Sequence, residues 1–96
     1  MKDTLYLSTL FDYYGDLLTE KQIEYFKDYY FDNLTLSEIS ENNNISRNAV
    51  HKTLKEAEEK LLFYEEKLQL VNKSNKIKVI IKDLDRQIQE KIVKLI

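Results

Sequence analysis

The sequence predicts an all-α fold of five helices, and three observations carry that prediction. The first is composition. Among 96 residues there is no Pro and one Gly, while 43% are hydrophobic and 33% charged, which suits packed helices better than strands or disorder. The second is a repeated helix-start signal. Leu18-Thr19 with Ile23, Leu34-Thr35 with Ile39 and Ile45-Ser46 with Val50 each place an aliphatic before a hydroxyl residue and another aliphatic five positions after the first. The hydroxyl accepts a first-turn N–H while the two apolar side chains fix the entry angle of the chain. The third is a long apolar seam, Val50, Leu54, Ala57, Leu61, Tyr64, Leu68 and Val71, with alternating spacings of four and three, which is the periodicity of a coiled-coil-like helix.

Taken in order, the first helix is expected over about 3–14, with Leu7, Leu10, Phe11 and Tyr14 on one face and Gly15 as its terminator. The second runs from Glu20 to about Phe31, burying Ile23, Phe26 and Tyr30; Asn33 is placed to end it. Thr19 with Gln22, and Thr35 with Glu38, have capping-box spacing. The third helix is short, Leu36 to about Asn42, and a corner follows at Asn43-Asn44, residues that tolerate left-handed backbone. The fourth is expected to run unbroken from Arg47 to Val71, the polar stretch Asn72-Lys73-Ser74-Asn75 to turn the chain, and a fifth helix to return antiparallel with Ile77, Ile81, Leu84, Ile88, Ile92 and Leu95 as its stripe. These pieces make one domain over 1–96, with a helix-turn-helix at about 35–55 and a C-terminal helical hairpin at about 56–96.

The second and third caps are only 11 residues apart. That leaves room for two helical turns and a tight corner, the plan of a helix-turn-helix whose second helix reads a DNA groove. Overall charge argues the other way, at −2 with a pI near 5.4, so its location matters. Residues 1–33 balance to −4, residues 34–55 to +1, residues 56–72 to −3 and residues 73–96 to +4. Only the start of the fourth helix and the C-terminal helix can attract phosphate.

On the fourth helix, Ser46 is the cap, and Arg47, Asn48, His51, Lys52 and Lys55 fall within roughly 140° of arc on the side away from the Val50, Leu54, Ala57 stripe. Arg can pair with guanine edges and Asn with adenine, while Lys and protonated His meet phosphate. The alternative is a solvated face, but the corner geometry favours the groove. Glu56, Glu58 and Glu59 follow immediately, so any contact ends within about two and a half turns. On the last helix, Lys78, Lys82 and Arg86 form an i, i+4, i+8 stripe, able to meet a partner or RNA, or to pair with Glu58, Glu59, Glu65 and Glu66 of the fourth helix.

Other chemistries find little footing. His51 is the one histidine and there is no Cys, so neither a metal cluster nor a nucleophilic relay can be assembled, and no disulfide framework exists. No cofactor motif is present, the carboxylates are scattered, and no enzyme is expected. Seven Tyr and four Phe, concentrated at 10–14 and 25–31, read as core rather than as a base-stacking platform, because nearby carboxylates repel phosphate. No apolar run approaches the roughly 20 residues that cross a bilayer, and the N-terminus is not a signal peptide, which fits the cytoplasm.

The run Leu10-Phe11-Asp12-Tyr13-Tyr14, Leu17-Leu18-Thr19-Glu20-Lys21-Gln22, Tyr29-Tyr30 and Leu36-Ser37-Glu38-Ile39, continued by Ser46-Arg47-Asn48-Ala49-Val50-His51, resembles the YlxM family of small bacterial proteins. The resemblance covers about residues 5–70, and its Thr19-to-Leu61 part is also similar to region 4 of bacterial sigma factors. It implies a DNA-binding fold and a link to the signal recognition particle pathway, a link drawn for the family from genes lying beside those of the particle's GTPases. The resemblance leaves two functions open: a DNA-binding regulator, or an accessory protein contacting the particle's RNA or GTPase. Against the usual helix-turn-helix pattern, Ser40 stands where a small Ala is common, Asn44 replaces the corner Gly, and Asn43 occupies a position that is usually apolar, at the cost of a core contact.

Finally, Leu62, Phe63 and Leu70 lie off the first seam and Ile80, Val93 and Ile96 off the second. That is more apolar surface than one hairpin hides, and it predicts a homodimer through the last two helices, the natural form for reading paired half-sites.

Overall fold

The computed structural model describes residues 3–96, so Met1 and Lys2 of the expected domain lie outside the described residues. Every regular element among the described residues is helical: α1 (Thr4–Tyr14), a 3-10 turn (Gly15–Leu17), α2 (Glu20–Tyr30), α3 (Leu36–Asn43), α4 (Arg47–Leu68), α5 (Leu70–Ile81) and α6 (Arg86–Val93). The expectation of five helices is corrected to six. The start signals work as their chemistry requires. Thr19 and Thr35 each accept the N–H three residues on while Gln22 and Glu38 reach back, two complete capping boxes, and Ser46 Oγ accepts from the Ala49 N–H at 3.0 Å. Asp3 accepts from the Leu5 N–H at 2.9 Å to start α1.

The core is made where α1, α2 and α3 pack along α4. Leu7, Leu10, Tyr14, Phe26, Ile39, Val50, Ala57 and Leu61 are each at most 1% exposed. The aromatic runs belong to this core, as expected: Phe11 stacks on Phe26 at 4.5 Å between ring centroids, and Tyr30 lies 4.4 Å from the same ring. Gly15 serves that stack rather than a left-handed cap. Its φ is −55, and a Cβ there would meet the Phe11 ring at 3.1 Å. Asn33, after α2, is the residue with positive φ (56), so the chain leaves that helix where the sequence placed the stop.

The C-terminal half departs from expectation. The seam holds for Val50, Leu54, Ala57, Leu61 and Val71, with Tyr64 packed against the core, but it is interrupted: Leu68 is 45% exposed, and Glu65 is buried. The reason is a polar corner. Glu65 accepts the Tyr14 hydroxyl at 2.6 Å and the N–H groups of Val71 and Asn72, both at 3.1 Å. Tyr14 Oη in turn accepts the Leu70 N–H at 3.1 Å. The orphan first-turn donors of α5 are thus satisfied by groups from α1 and α4, so a new helix can begin directly after the break. Gln69 takes left-handed backbone at the break (φ 58), and its amide donates to the Glu65 and Glu66 carbonyls, closing α4. Burial pushes the Glu65 carboxyl up, but the bonds from Tyr14, Val71 and Asn72 outweigh it and hold the group below its usual range. Burial, then the Glu65 bond, raises the Tyr14 phenol to about 12.

Hence α4 ends at Leu68 rather than Val71, and Asn72-Lys73-Ser74-Asn75 lies inside α5 instead of turning the chain. Ser74 is buried and accepts the Tyr13 hydroxyl at 3.0 Å, pinning α5 to α1. The antiparallel hairpin is replaced by an arm, α5 and α6, broken at 82–85. The molecule measures 53 × 25 × 23 Å, whereas α4 alone accounts for about 33 Å of length at about 1.5 Å per residue. The expected stripe of the last helix therefore splits: Ile81 is buried, while Leu84, Ile88 and Leu95 are exposed.

Candidate nucleic-acid interface

The short helix α3, a tight corner and the start of α4 present the candidate interface. Within α3, Ser40 is buried and its hydroxyl donates to the Ser37 carbonyl at 2.7 Å, so the hydroxyl that replaces a small Ala is satisfied internally. Asn43 is half-buried, and its amide donates to the Ile39 carbonyl at 2.8 Å. An apolar contact is exchanged there for satisfaction of an orphan helix carbonyl. Asn44 adopts φ 54 and ψ 41, and its N–H returns to the Ser40 and Glu41 carbonyls. The three departures from the usual motif are thus absorbed by local hydrogen bonds, and the corner forms.

After that corner the Ser46 cap launches α4. Val50, Leu54 and Ala57 are buried against the core, while Ser46, Arg47, Asn48, His51, Lys52 and Lys55 are all exposed. From Arg47 to Lys55 the side chains advance about 12 Å along the axis, close to the width of a B-DNA major groove. Among the described residues the ion pairs Lys21–Glu24 and Arg86–Glu90 are local. The sequence-predicted residues are therefore brought together on one solvent-facing surface.

The structure adds Tyr29 and Tyr30, which helical spacing alone places in the core. Both are half-buried. They wall a recess of about 290 Å³ with His51 and Lys55, and a second of about 490 Å³ with Thr35 and Arg47. The Tyr30 hydroxyl donates to Glu58 at 2.5 Å, tying α2 to α4 just behind Lys55; burial and that carboxylate push its phenol well above the usual range. The Tyr29-Tyr30 pair at the end of an amphipathic helix was the available signal, but helical spacing alone cannot tell a core edge from a rim.

Lys78, Lys82 and Arg86 do not form the single stripe expected of them. All three are exposed, but α5 ends at Ile81 and α6 starts at Arg86, so the turn between breaks their common face. Arg86 instead pairs with Glu90 at 3.5 Å. Among the described residues there is no group of three or more His, Cys, Asp or Glu arranged to hold a metal, and no helix is long and apolar enough to cross a membrane.

Comparison with known proteins agrees with this architecture. Over residues 1–96 the chain matches the family model described as "Putative helix-turn-helix protein, YlxM / p13 like". A UPF0122 protein of Malacoplasma penetrans is 44% identical over 82 residues, covering 85% of this chain and 77% of the relative. One from a Thermoanaerobacter species is 46% identical over 102 aligned positions, covering 98% and 87%, and one from Clostridium acetobutylicum is 45% identical over 84, covering 88% and 72%. With a helix-turn-helix in place and the whole chain matched, the protein belongs to the YlxM/p13-like UPF0122 family of helix-turn-helix proteins.

Proposed function

We propose that this protein is a cytoplasmic DNA-binding regulator that lays the amino-terminal half of α4 in the major groove, in the manner of sigma factor region 4. The observation that carries the reading is the exposed set Arg47, Asn48, His51, Lys52 and Lys55 on a capped helix whose opposite face is buried in the core. Arg47 and Asn48 lie at the helix start, where side chains reach base edges. Lys52 and Lys55 suit phosphates, and Ser46 supports the cap and can meet the backbone. The experiment is selection from a random duplex library at low and moderate salt. Arg47→Ala should relax base preference by about 1–3 kcal/mol, Lys55→Ala should weaken all sequences alike, and affinity should fall steeply with salt. If no sequence is enriched and Arg47→Ala behaves as wild type, the reading fails.

A second reading is supported by the +4 balance of residues 73–96 and the exposure of Lys78, Lys82 and Arg86. In it the protein is an accessory factor of the signal recognition particle, meeting its RNA or GTPase through the arm. Capture of that RNA by wild type, lost with Lys78→Glu and Lys82→Glu and retained with Arg47→Ala, would favour it over DNA regulation.

A further inference from the structure

The arm exposes more surface than a chain of this size usually leaves in water. The radius of gyration is 16.5 Å, against about 12.5 Å expected of a compact 96-residue chain. The accessible surface is 6939 Å², against about 5,800 Å² from the scaling for a monomer of this mass. The excess, roughly 1,100 Å², exceeds the roughly 800 Å² that each partner buries in a standard interface. It is concentrated late in the chain: Phe63 is 53% exposed, Val79 64% and Ile80 77%, and α6 buries none of its residues.

Tyr14, Glu65 and the Tyr13–Ser74 bond fix the direction in which α5 leaves, and the Gln89 amide, donating to the Lys82 and Leu84 carbonyls, holds α6 at its end, so the arm stands off this surface rather than covering it. A partner must cover it, and charge selects which. The arm carries +4 and residues 1–72 carry −6, so arm against arm is repulsive and arm against head is attractive. The head also has an open groove of about 720 Å³ between α2 and α4, with Phe63 and Tyr64 as its apolar part, Glu56 and Glu59 as its acidic part, and Lys60, which donates to Gln22 at 3.4 Å, as its cation. It begins beyond Lys55, clear of the recognition residues.

We infer that two copies associate by reciprocal arm exchange, the α5–α6 arm of each docking its apolar face in the α2–α4 groove of the other with its lysines beside Glu56 and Glu59. The exchange is isologous, so it closes at a two-fold dimer. It does not depend on the DNA reading. The test is sedimentation of nuclease-treated protein at micromolar concentration, with circular dichroism on every variant. The wild type should run at twice the 11.5 kDa chain mass. Ile80→Asp, at a side chain with little to lose in the monomer, should sediment at chain mass with its helicity unchanged. Lys82→Glu with Arg86→Glu, and separately Glu56→Lys with Glu59→Lys, should each weaken association by about ten-fold or more, and a mixture of the two variants should restore it. Three results overturn the inference: chain mass for wild type throughout, an undiminished dimer in the Glu56→Lys, Glu59→Lys variant (arm-to-arm pairing), or association only when nucleic acid or anionic vesicles are added.

Discussion

Removing one oxygen atom from Tyr14 tests the account of how α5 is launched. Tyr14→Phe deletes a donor to a carboxylate that is 6% exposed and an acceptor of the Leu70 N–H. A hydrogen bond to a charged group contributes about 1.5–3 kcal/mol, and a buried donor left unpaired costs about 1–3 kcal/mol. Because the Leu70 N–H is only partly buried, water recovers much of the second amount. The expected loss is therefore about 3 kcal/mol, roughly 12–24 °C in Tm for a domain this small. Urea unfolding followed by far-UV dichroism measures it. The pH dependence gives a second readout. A carboxyl held below its usual value contributes stability that is present above its unfolded pKa, near 4.5, and is lost as pH falls through the depressed native value. A phenol raised to about 12 contributes stability that is complete below 10.0 and lost as pH rises through about 12. Wild type should thus show a stability plateau between about pH 5 and 10, and the difference from Tyr14→Phe should shrink towards both ends. A loss under about 1 kcal/mol at pH 7, or a difference independent of pH, would refute the claim that this pair holds the corner.

Gly15→Ala would normally gain from reduced chain entropy, but the Phe11 ring it would strike at 3.1 Å is already stacked on Phe26; overpacking should win by about 1 kcal/mol, read from the urea midpoint. Thr35→Ala removes one complete capping box and should cost about 1 kcal/mol, read from the urea midpoint. Asn44→Ala should cost about 1–2 kcal/mol at the left-handed corner and Asn44→Gly should be neutral or stabilising; an Ala variant as stable as wild type would remove the reason for Asn there.

Much of the amino-terminal two thirds was legible in the sequence because its determinants are local. The Thr19, Thr35 and Ser46 caps, the Asn44 corner and the Val50-to-Leu61 seam all act within one or two turns, so spacing alone located α2, α3 and the start of α4. The same local rules grouped Arg47, Asn48, His51, Lys52 and Lys55, since residues on one short helix share a face whatever packs behind it. What only the tertiary structure decided is the carboxyl-terminal third. The heptad pattern runs on through Val71, and nothing local marks Gln69 as a left-handed break; Asn72 to Asn75 carry a better turn signature. Glu65 looks like one more solvated glutamate until Tyr14, 51 residues earlier, closes over it. A polar group buried by distant chain has no periodic trace, yet its bonds to the α5 amides decide where α4 stops, where the arm points, and which apolar faces are left for another molecule to cover.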